Sequence, residues 1–246
     1  MRLTERIYLV GGGRNGFGIS EDFDCHVYLL DGGEELALID AGAGRIIEPI
    51  LANLRFDGID TGRLRYILLT HAHADHAGAA AEWRRRFGVE VAASREAAQY
   101  VRDGDESRIS LDIARQGGFY PPDYVFHACP VNRVLGENDI FRVGDLEVRV
   151  METPGHCSGM LSFLVKDGNR TALFSGDTVF HDGRLLISNL WDCDLRQYAR
   201  SIEKLALVDF DALLPGHQAI ALTGGSSHVR KAWDSLSKMS IPPSII

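Results

Sequence analysis

Residues 66–78, Tyr-Ile-Leu-Leu-Thr-His-Ala-His-Ala-Asp-His-Ala-Gly, constrain the fold of this chain more than any other stretch. The first four residues are apolar and predict a buried strand, and four potential metal ligands follow: His71, His73, Asp75 and His76. In an open α/β sheet, ligand sites lie outside the carboxyl ends of the strands. Because three imidazoles and a carboxylate cost much free energy to bury without partners, this spacing predicts a metal site rather than ordinary packing.

The spacing also predicts how the four side chains are divided. His71 and His73 alternate in extended backbone, so both rings can point the same way toward one ion. Asp75 and His76 follow where the chain bends into a helix, and they are placed to reach a second ion beside the first. The helix is predicted to end at Gly88. The stretch therefore predicts a strand, a ligand loop for two metal ions and a helix.

The composition is that of a soluble globular protein. The chain has 246 residues, 45% of them hydrophobic and 24% charged, which is enough to bury a large core. Its net charge of -8 argues against a nucleic-acid partner, because phosphate binding requires a basic surface. No apolar stretch reaches the length of a membrane span, the N-terminus does not resemble a signal peptide, and the four cysteines show no disulfide spacing. We expect a cytoplasmic protein with a small-molecule substrate and no membrane partner, and a homodimer remains open.

Neither a linker nor a shift in composition divides the chain, so we expect a single domain over residues 1–246. Alternating strand and helix patterns predict an α/β (α+β) fold. The glycine-rich residues 11–18 lead into a strand rather than a helix, which favours a rim loop over a phosphate cradle. Residues 103–130 are the least regular part of the chain. They are predicted to form a lid or substrate-binding insertion, with a solvent-exposed insertion as the alternative.

Three more predicted strands end in glycine-containing turns that carry histidine or aspartate. His156 follows Thr-Pro-Gly, Asp177 lies within Ser-Gly-Asp-Thr, and His217 follows Pro-Gly. Each would be unremarkable alone, since loop histidines are common. Together they supply what the first loop lacks, namely further ligands for both ions and a carboxylate that can bridge them.

This ordered set of motifs resembles the metallo-β-lactamase superfamily over roughly residues 5–220. The resemblance implies an αβ/βα four-layer sandwich with a binuclear site at one edge. It also implies a ligand assignment: His71, His73 and His156 on metal one, Asp75, His76 and His217 on metal two, and Asp177 bridging them. The cofactors are then two divalent metal ions, expected to be zinc, with iron or manganese as alternatives for such a mixed ligand set.

Among the branches of the superfamily, Gly-Asp-Thr-Val-Phe and the final Gly-His most resemble glyoxalase II-type thioesterases, and acyl-homoserine lactonases share the ligand set. We expect a binuclear hydrolase that attacks a thioester, ester or lactone carbonyl with a metal-bridging hydroxide. Asp75 is the candidate catalytic residue, which orients the bridging water or shuttles its proton. The alternative is a mononuclear iron persulfide dioxygenase, in which His71, His156 and Asp177 hold the iron.

The resemblance also exposes two departures that bear on the substrate. Few residues follow His217, so the C-terminal helical domain that binds glutathione in glyoxalase II is not expected here. The best-known lactonases carry a tyrosine where this chain has Phe180, so a carbonyl would need another donor, such as Tyr120 or His181. The candidate substrate-pocket residues, which are also consistent with core packing or sheet cover, are Phe17, Phe119, Tyr120, Phe180, His181 and Trp191.

Overall fold

The computed structural model describes residues 1–245 and divides the chain into two compact units. The first unit comprises Met1–Leu135 with Val143–Asp145, and the second comprises Gly136–Arg142 and the residues from Leu146 onward. Within residues 1–245, no helix is both long and apolar enough to cross a membrane. The expectation of one domain over residues 1–246 stays a prediction.

A six-stranded sheet organises the first unit, with its strands side by side in chain order. The first three strands pair antiparallel, and the third to the sixth pair in parallel. Two central strands are buried along nearly their whole length, which explains their continuous apolar sequence. The strands are β1 (Ile7–Gly11), β2 (Val27–Asp31), β3 (Leu36–Ile39), β4 (Leu64–Leu68), β5 (Glu90–Ala93) and β6 (Arg133–Val134).

Five helices accompany this sheet: α1 (Glu48–Phe56), α2 (Ala74–Ala77), α3 (Ala80–Phe87), α4 (Arg95–Asp103) and α5 (Leu111–Gln116). As predicted, Gly88 ends α3 in the left-handed conformation, with φ at 67°. The sequence after β3 predicts a helix over residues 44–55, but α1 begins only at Glu48. Gly44 has a φ of 81°, which no helical residue adopts, and its backbone lies against that of Gly78. The close approach therefore delays the helix.

A five-stranded sheet organises the second unit. Its strands are β7 (Ile140–Val143), β8 (Leu146–Glu152), β9 (Leu161–Asp167), β10 (Arg170–Gly176) and β11 (Ala212–Pro215), and they lie in the order β11-β10-β9-β8-β7. β10 pairs in parallel with β11 and antiparallel with β9, which pairs antiparallel with β8. Along β8 buried and exposed side chains alternate, as the period of the sequence predicts. Two helices accompany this sheet: α6 (Leu195–Ala206) and α7 (Gly225–Ser237).

Asp194 caps the N-terminus of α6, since its Oδ1 atom accepts hydrogen bonds from the backbone N–H groups of Arg196 at 2.8 Å and Gln197 at 3.2 Å. Replacing this residue (Asp194→Ala) should lower the free energy of unfolding by about 1 kcal/mol, because two helix N–H groups lose their acceptor. The melting temperature should then fall by roughly 2–4 °C, as followed by circular dichroism. The matched control is Asp209→Ala, since the Asp209 side chain is 88% exposed. Equal melting temperatures for the two variants would contradict the capping role.

Candidate metal centre

The predicted order of strand, loop and helix is confirmed in the first unit. His71 and His73 lie between β4 and α2, whereas Asp75 and His76 already lie within α2, so the helix begins earlier than the sequence predicts. His71 and His76 are completely buried and Asp75 is 7% exposed. The ring of His71 lies 4.6 Å from that of His73 and 4.0 Å from that of His76, measured between centroids. One short run thus gathers two buried imidazoles, a buried carboxylate and the half-buried imidazole of His73.

Asp40, which follows β3, fixes the proton positions of two of these imidazoles. Its carboxylate accepts hydrogen bonds at 2.8 Å from Nδ1 of His76 and from the hydroxyl of Thr70. Because a carboxylate only accepts, His76 carries its proton on Nδ1. The Thr70 hydroxyl gives its single proton to Asp40, so its oxygen accepts from Nδ1 of His71, 3.0 Å away. In both rings Nε2 is therefore the nitrogen whose lone pair can bind a metal ion.

Sequence reasoning missed Asp40. The residue is 2% exposed and has a φ of 61°, a left-handed conformation that is rare for a residue other than glycine. Its Oδ1 atom also accepts the backbone N–H of Thr70 at 2.7 Å. The available signal was an aspartate directly after the buried strand Leu36–Ile39, at the carboxyl end where ligand sites form. Strained backbone of this kind is often found at functional sites.

Two tyrosines of the irregular segment 103–130 lie against the ligand loop. The hydroxyl of Tyr124 donates to the carbonyl oxygen of Ala43 at 2.6 Å, and its ring stacks on that of Tyr120 with centroids 4.8 Å apart. Burial, and then the charge of Asp75, raise the pKa of Tyr120 well above its ordinary value of 10. The neutral hydroxyl donates a hydrogen bond to the Asp75 carboxylate. The role of residues 103–130 as a lid or substrate-binding element stays a prediction.

In the second unit, the three remaining predicted ligands follow the carboxyl ends of β8, β10 and β11. His156, Asp177 and His217 are all buried. Oδ2 of Asp177 lies 3.5 Å from Nε2 of His217 and 3.8 Å from Nε2 of His156. These distances exceed those of hydrogen bonds. They are close to the roughly 3.4 Å that separates two ligand atoms around a tetrahedral zinc ion, given bonds of about 2.1 Å.

The same spacing occurs within the first unit, where Nε2 of His76 lies 3.6 Å from Oδ2 of Asp75. In the second unit, Nδ1 of His156 donates to the carbonyl oxygen of Leu186 at 3.0 Å, because a carbonyl only accepts. The donor set of each unit, buried imidazoles with their Nε2 atoms available as ligands and carboxylates beside them, fits a divalent metal ion such as zinc.

Tyr198 of α6 supports the second group, and sequence reasoning missed it as well. Its hydroxyl donates to the backbone oxygen of Asp177 at 2.8 Å and accepts the backbone N–H of Leu186 at 3.2 Å. Burial raises the pKa of Tyr198 well above its ordinary value, so the hydroxyl stays protonated. One side chain therefore fixes both the backbone of Asp177 and the segment that orients His156.

The predicted substrate-pocket residues fall into different surroundings. In the second unit, Phe180 is fully buried beside His217, with ring centroids 6.4 Å apart. His181 instead contacts the ring of His228 at 4.2 Å, and Trp191 is 50% exposed. In the first unit, the exposed Phe17 lies beside His26, Phe119 is partly exposed, and Tyr120 is buried. Their roles in substrate binding stay predictions.

Asp24 joins two loops of the first unit and carries a perturbed pKa. Its Oδ1 atom accepts the backbone N–H of Ala43 at 2.7 Å, and its Oδ2 atom accepts the hydroxyl of Ser20 at 2.6 Å. Burial raises the pKa of Asp24 from 3.8 to about 6, and these hydrogen bonds, with a third from the backbone N–H of Glu21, only partly oppose this shift. Between these values the folded protein therefore binds more protons than the unfolded chain.

The free energy of unfolding should consequently fall as the pH rises from about 4 to about 6, by up to about 3 kcal/mol from Asp24 alone. The variant Asp24→Asn should lack this contribution, since its amide does not titrate. Urea denaturation of both proteins in metal-free buffer between pH 4 and pH 7 measures the difference. If the two free energies of unfolding change in parallel over this range, the proposed protonation of Asp24 is wrong.

Comparison with known families identifies the fold family. The sequence model of the metallo-beta-lactamase superfamily matches residues 21–217, a span that includes every predicted metal ligand. The chain belongs to this superfamily. In solved structures, a metallo-beta-lactamase of Cronobacter sakazakii with a HARLDQ motif superposes with a TM-score of 0.75 and 19% identity, over 97% of this chain and 96% of that one. The predicted α/β (α+β) class and the metallo-β-lactamase fold are thereby confirmed.

Three curated members of the superfamily show the range of its relatives. The chain is 28% identical to an atrochrysone carboxyl ACP thioesterase of Aspergillus fumigatus, over 89% of this chain and 58% of the relative. It is 33% identical to a hydroxyacylglutathione hydrolase of Rhodopseudomonas palustris, over 55% of this chain and 40% of the relative. It is 32% identical to the acyl-coenzyme A thioesterase MBLAC2 of Gallus gallus, over 88% of this chain and 80% of the relative. The chain thus spans about half the length of the first two relatives.

Proposed function

We propose that this superfamily member is a metal-dependent hydrolase that cleaves a thioester, with esters and lactones as related substrates. The observation that carries the proposal is the spacing of buried ligand atoms. In each unit, imidazole Nε2 atoms lie 3.5–3.8 Å from carboxylate oxygens, as in ligands that share an ion. The choice of a thioester rests on the relatives, two of which are named thioesterases and a third a hydroxyacylglutathione hydrolase.

The proposed ligands follow the superfamily resemblance and would hold two divalent ions. His71, His73 and His156 would hold one, Asp75, His76 and His217 the other, and Asp177 both. The hydrogen bonds of His71, His76 and His156 support this assignment, because each places the proton on Nδ1. When bound, such ions lower the pKa of a water molecule toward neutrality and polarise a carbonyl oxygen.

Asp75 is proposed to handle the proton of the attacking water. The Asp75 carboxylate accepts a hydrogen bond from the Tyr120 hydroxyl, which limits the rotation of the carboxylate. The remaining lone pairs of the carboxylate can orient a water molecule. The water oxygen bonds to the carbonyl carbon, the C–S bond breaks, and the departing thiolate takes the proton that Asp75 received. The products are a carboxylic acid and a thiol. The reaction needs neither a serine nor a cysteine nucleophile.

Cys25 illustrates why a thiol nucleophile is not invoked in the first unit. The residue is completely buried, and burial raises the pKa of its thiol far above the ordinary value of 9. The Sγ atom lies 3.4 Å from the backbone oxygen of His26, to which it donates. A buried, protonated thiol is inert as a nucleophile.

The test is hydrolysis of a panel of thioesters, esters and lactones by the purified protein, before and after removal of metal with a chelator. We expect thioester cleavage that is lost on chelation and restored by zinc, manganese or iron. Hydrolysis that persists after complete metal removal would overturn the proposal. Oxygen consumption with a persulfide, in the absence of any hydrolysis, would instead support the dioxygenase alternative.

A further inference from the structure

Two arginines in the first unit face a single phenyl ring. The guanidinium carbon of Arg14 lies 4.8 Å from the centroid of Phe23, and that of Arg45 lies 5.4 Å from it. Arg14 also lies 5.4 Å from the centroid of Phe119 and donates a hydrogen bond to its backbone oxygen at 3.2 Å. These distances are those of cation–π contacts. We call Arg14, Phe23, Arg45 and Phe119 the cationic rim.

The rim is positively charged on an otherwise acidic protein. Arg45 forms an ion pair with Glu21 at 3.2 Å. The guanidinium of Arg14 pairs with no carboxylate among residues 1–245, and its partners there are two phenyl rings and the backbone oxygen of Phe119. With a net charge of -8, the whole protein would repel an anionic substrate. Because no carboxylate neutralises the Arg14 guanidinium and two phenyl rings hold it in place, it is available to bind an anion.

Aromatic contacts connect the rim to the predicted catalytic carboxylate within the first unit. The ring of Phe23 lies 5.6 Å from that of Tyr120, and the ring of Phe119 lies 5.1 Å from it. The hydroxyl of Tyr120 in turn donates to Asp75. One buried side chain, that of Tyr120, thus separates the rim from Asp75.

A cleft of the first unit begins at the same arginine. Arg45 lines a cavity of about 470 Å³, a size that accommodates a small molecule. Two further arginines line it, Arg85 and Arg86, which pair with Glu82, and Arg86 also pairs with Glu48. The cleft therefore offers space for the part of a substrate that lies beyond the rim.

We propose that Arg14 and Arg45 bind the negatively charged thiol arm of the thioester substrate. The inference rests on the proposed thioesterase function and adds the class of thiol. A guanidinium held against aromatic rings loses little freedom on binding, and its N–H groups match a phosphate or a carboxylate. The anion can be the phosphate of a coenzyme A or phosphopantetheine arm, or a carboxylate of a glutathione arm. A neutral thiol arm would gain nothing from these residues.

The test is calorimetric binding of three unreactive thioethers to the metal-loaded protein: S-butyl-coenzyme A, S-butylglutathione and neutral N-acetyl-S-butylcysteamine. Arg14→Gln should weaken binding of an anionic thioether about tenfold and leave the neutral one unchanged. Arg45→Gln should act in the same direction, and Arg14→Lys should retain part of the affinity. Arg102→Gln, at an exposed position in the last turn of α4, is the matched control and should change nothing.

The outcomes distinguish a phosphate from a carboxylate as the bound anion, and they test the anion site separately from the proposed hydrolysis. If Arg14→Gln weakens binding of the coenzyme A thioether alone, the anion is the phosphate of the thiol arm. If it weakens binding of the glutathione thioether alone, the anion is a carboxylate. Equal affinities of Arg14→Gln and the unmodified protein for both anions would overturn the inference, even if acyl-N-acetylcysteamine is hydrolysed. Arg14-dependent binding without hydrolysis of any thioester would retain the anion site and refute the proposed reaction.

Discussion

Replacing Asp75 by alanine should lower kcat/KM for a thioester by at least about 10³-fold while leaving the protein folded. Transfer of a proton by a positioned side chain contributes roughly 10²–10⁴-fold to a rate, and the variant also loses a proposed metal ligand. Asp75 is buried, its Oδ2 atom lies 3.6 Å from Nε2 of His76, and it accepts the hydroxyl of Tyr120.

The measurement is steady-state hydrolysis with metal content determined on the same samples. Asp75→Asn keeps the shape of the side chain but cannot accept a proton, so it should lose activity even where metal is retained. Asp123→Ala, at an exposed position of the same unit, should remain fully active. Turnover of Asp75→Ala within a few-fold of the unmodified protein would refute the proposed role of Asp75.

The second large effect is expected for Asp40→Asn, which should weaken metal binding about 10–100-fold. In the folded protein both carboxylate oxygens accept: Oδ2 from Nδ1 of His76 and from the Thr70 hydroxyl, and Oδ1 from the Thr70 N–H. An amide must turn its NH₂ group toward one of these donors. If that donor is His76, the imidazole moves its proton to Nε2 and loses the lone pair that binds metal.

Competition with a zinc chelator measures the affinity in the unmodified protein and in the variant. In the other orientation, the NH₂ group of the asparagine faces the buried backbone N–H of Thr70, which then has no acceptor. The free energy of unfolding should therefore also fall by about 1–3 kcal/mol. Asp123→Asn controls for the loss of one negative charge. A zinc affinity unchanged by Asp40→Asn would show that Asp40 does not fix the protonation of His76.

Short sequence patterns predicted the strand, the ligand loop and the helix end that form the first half of the candidate metal centre. The apolar run before His71 becomes β4, the ligand loop follows it, and Gly88 ends α3 as expected. The alternating apolar and polar residues of Leu146–Glu152 form β8. These features depend on residues within about one element of each other, where side-chain period and capping geometry decide the conformation.

The supporting contacts could not be predicted because they join residues that are far apart in the chain. Asp40 and His76 are 36 residues apart, and Tyr198 and Asp177 are 21 apart. Arg14 reaches the backbone oxygen of Phe119 across 105 residues. Asp40 ends an apolar strand and Tyr198 lies on an amphipathic helix, and each looks ordinary in its own segment. Only the fold brings the partners together, so their chemistry becomes visible only in the structure.

The metal content of protein purified without added metal, determined by elemental mass spectrometry, tests the proposed binuclear centre most directly. We expect about two equivalents of divalent transition metal per chain, with zinc, or a mixture of zinc, iron and manganese, filling the proposed ligand set. Two equivalents would support the hydrolase. One equivalent of iron without a second metal would contradict it and favour oxygen-dependent sulfur chemistry.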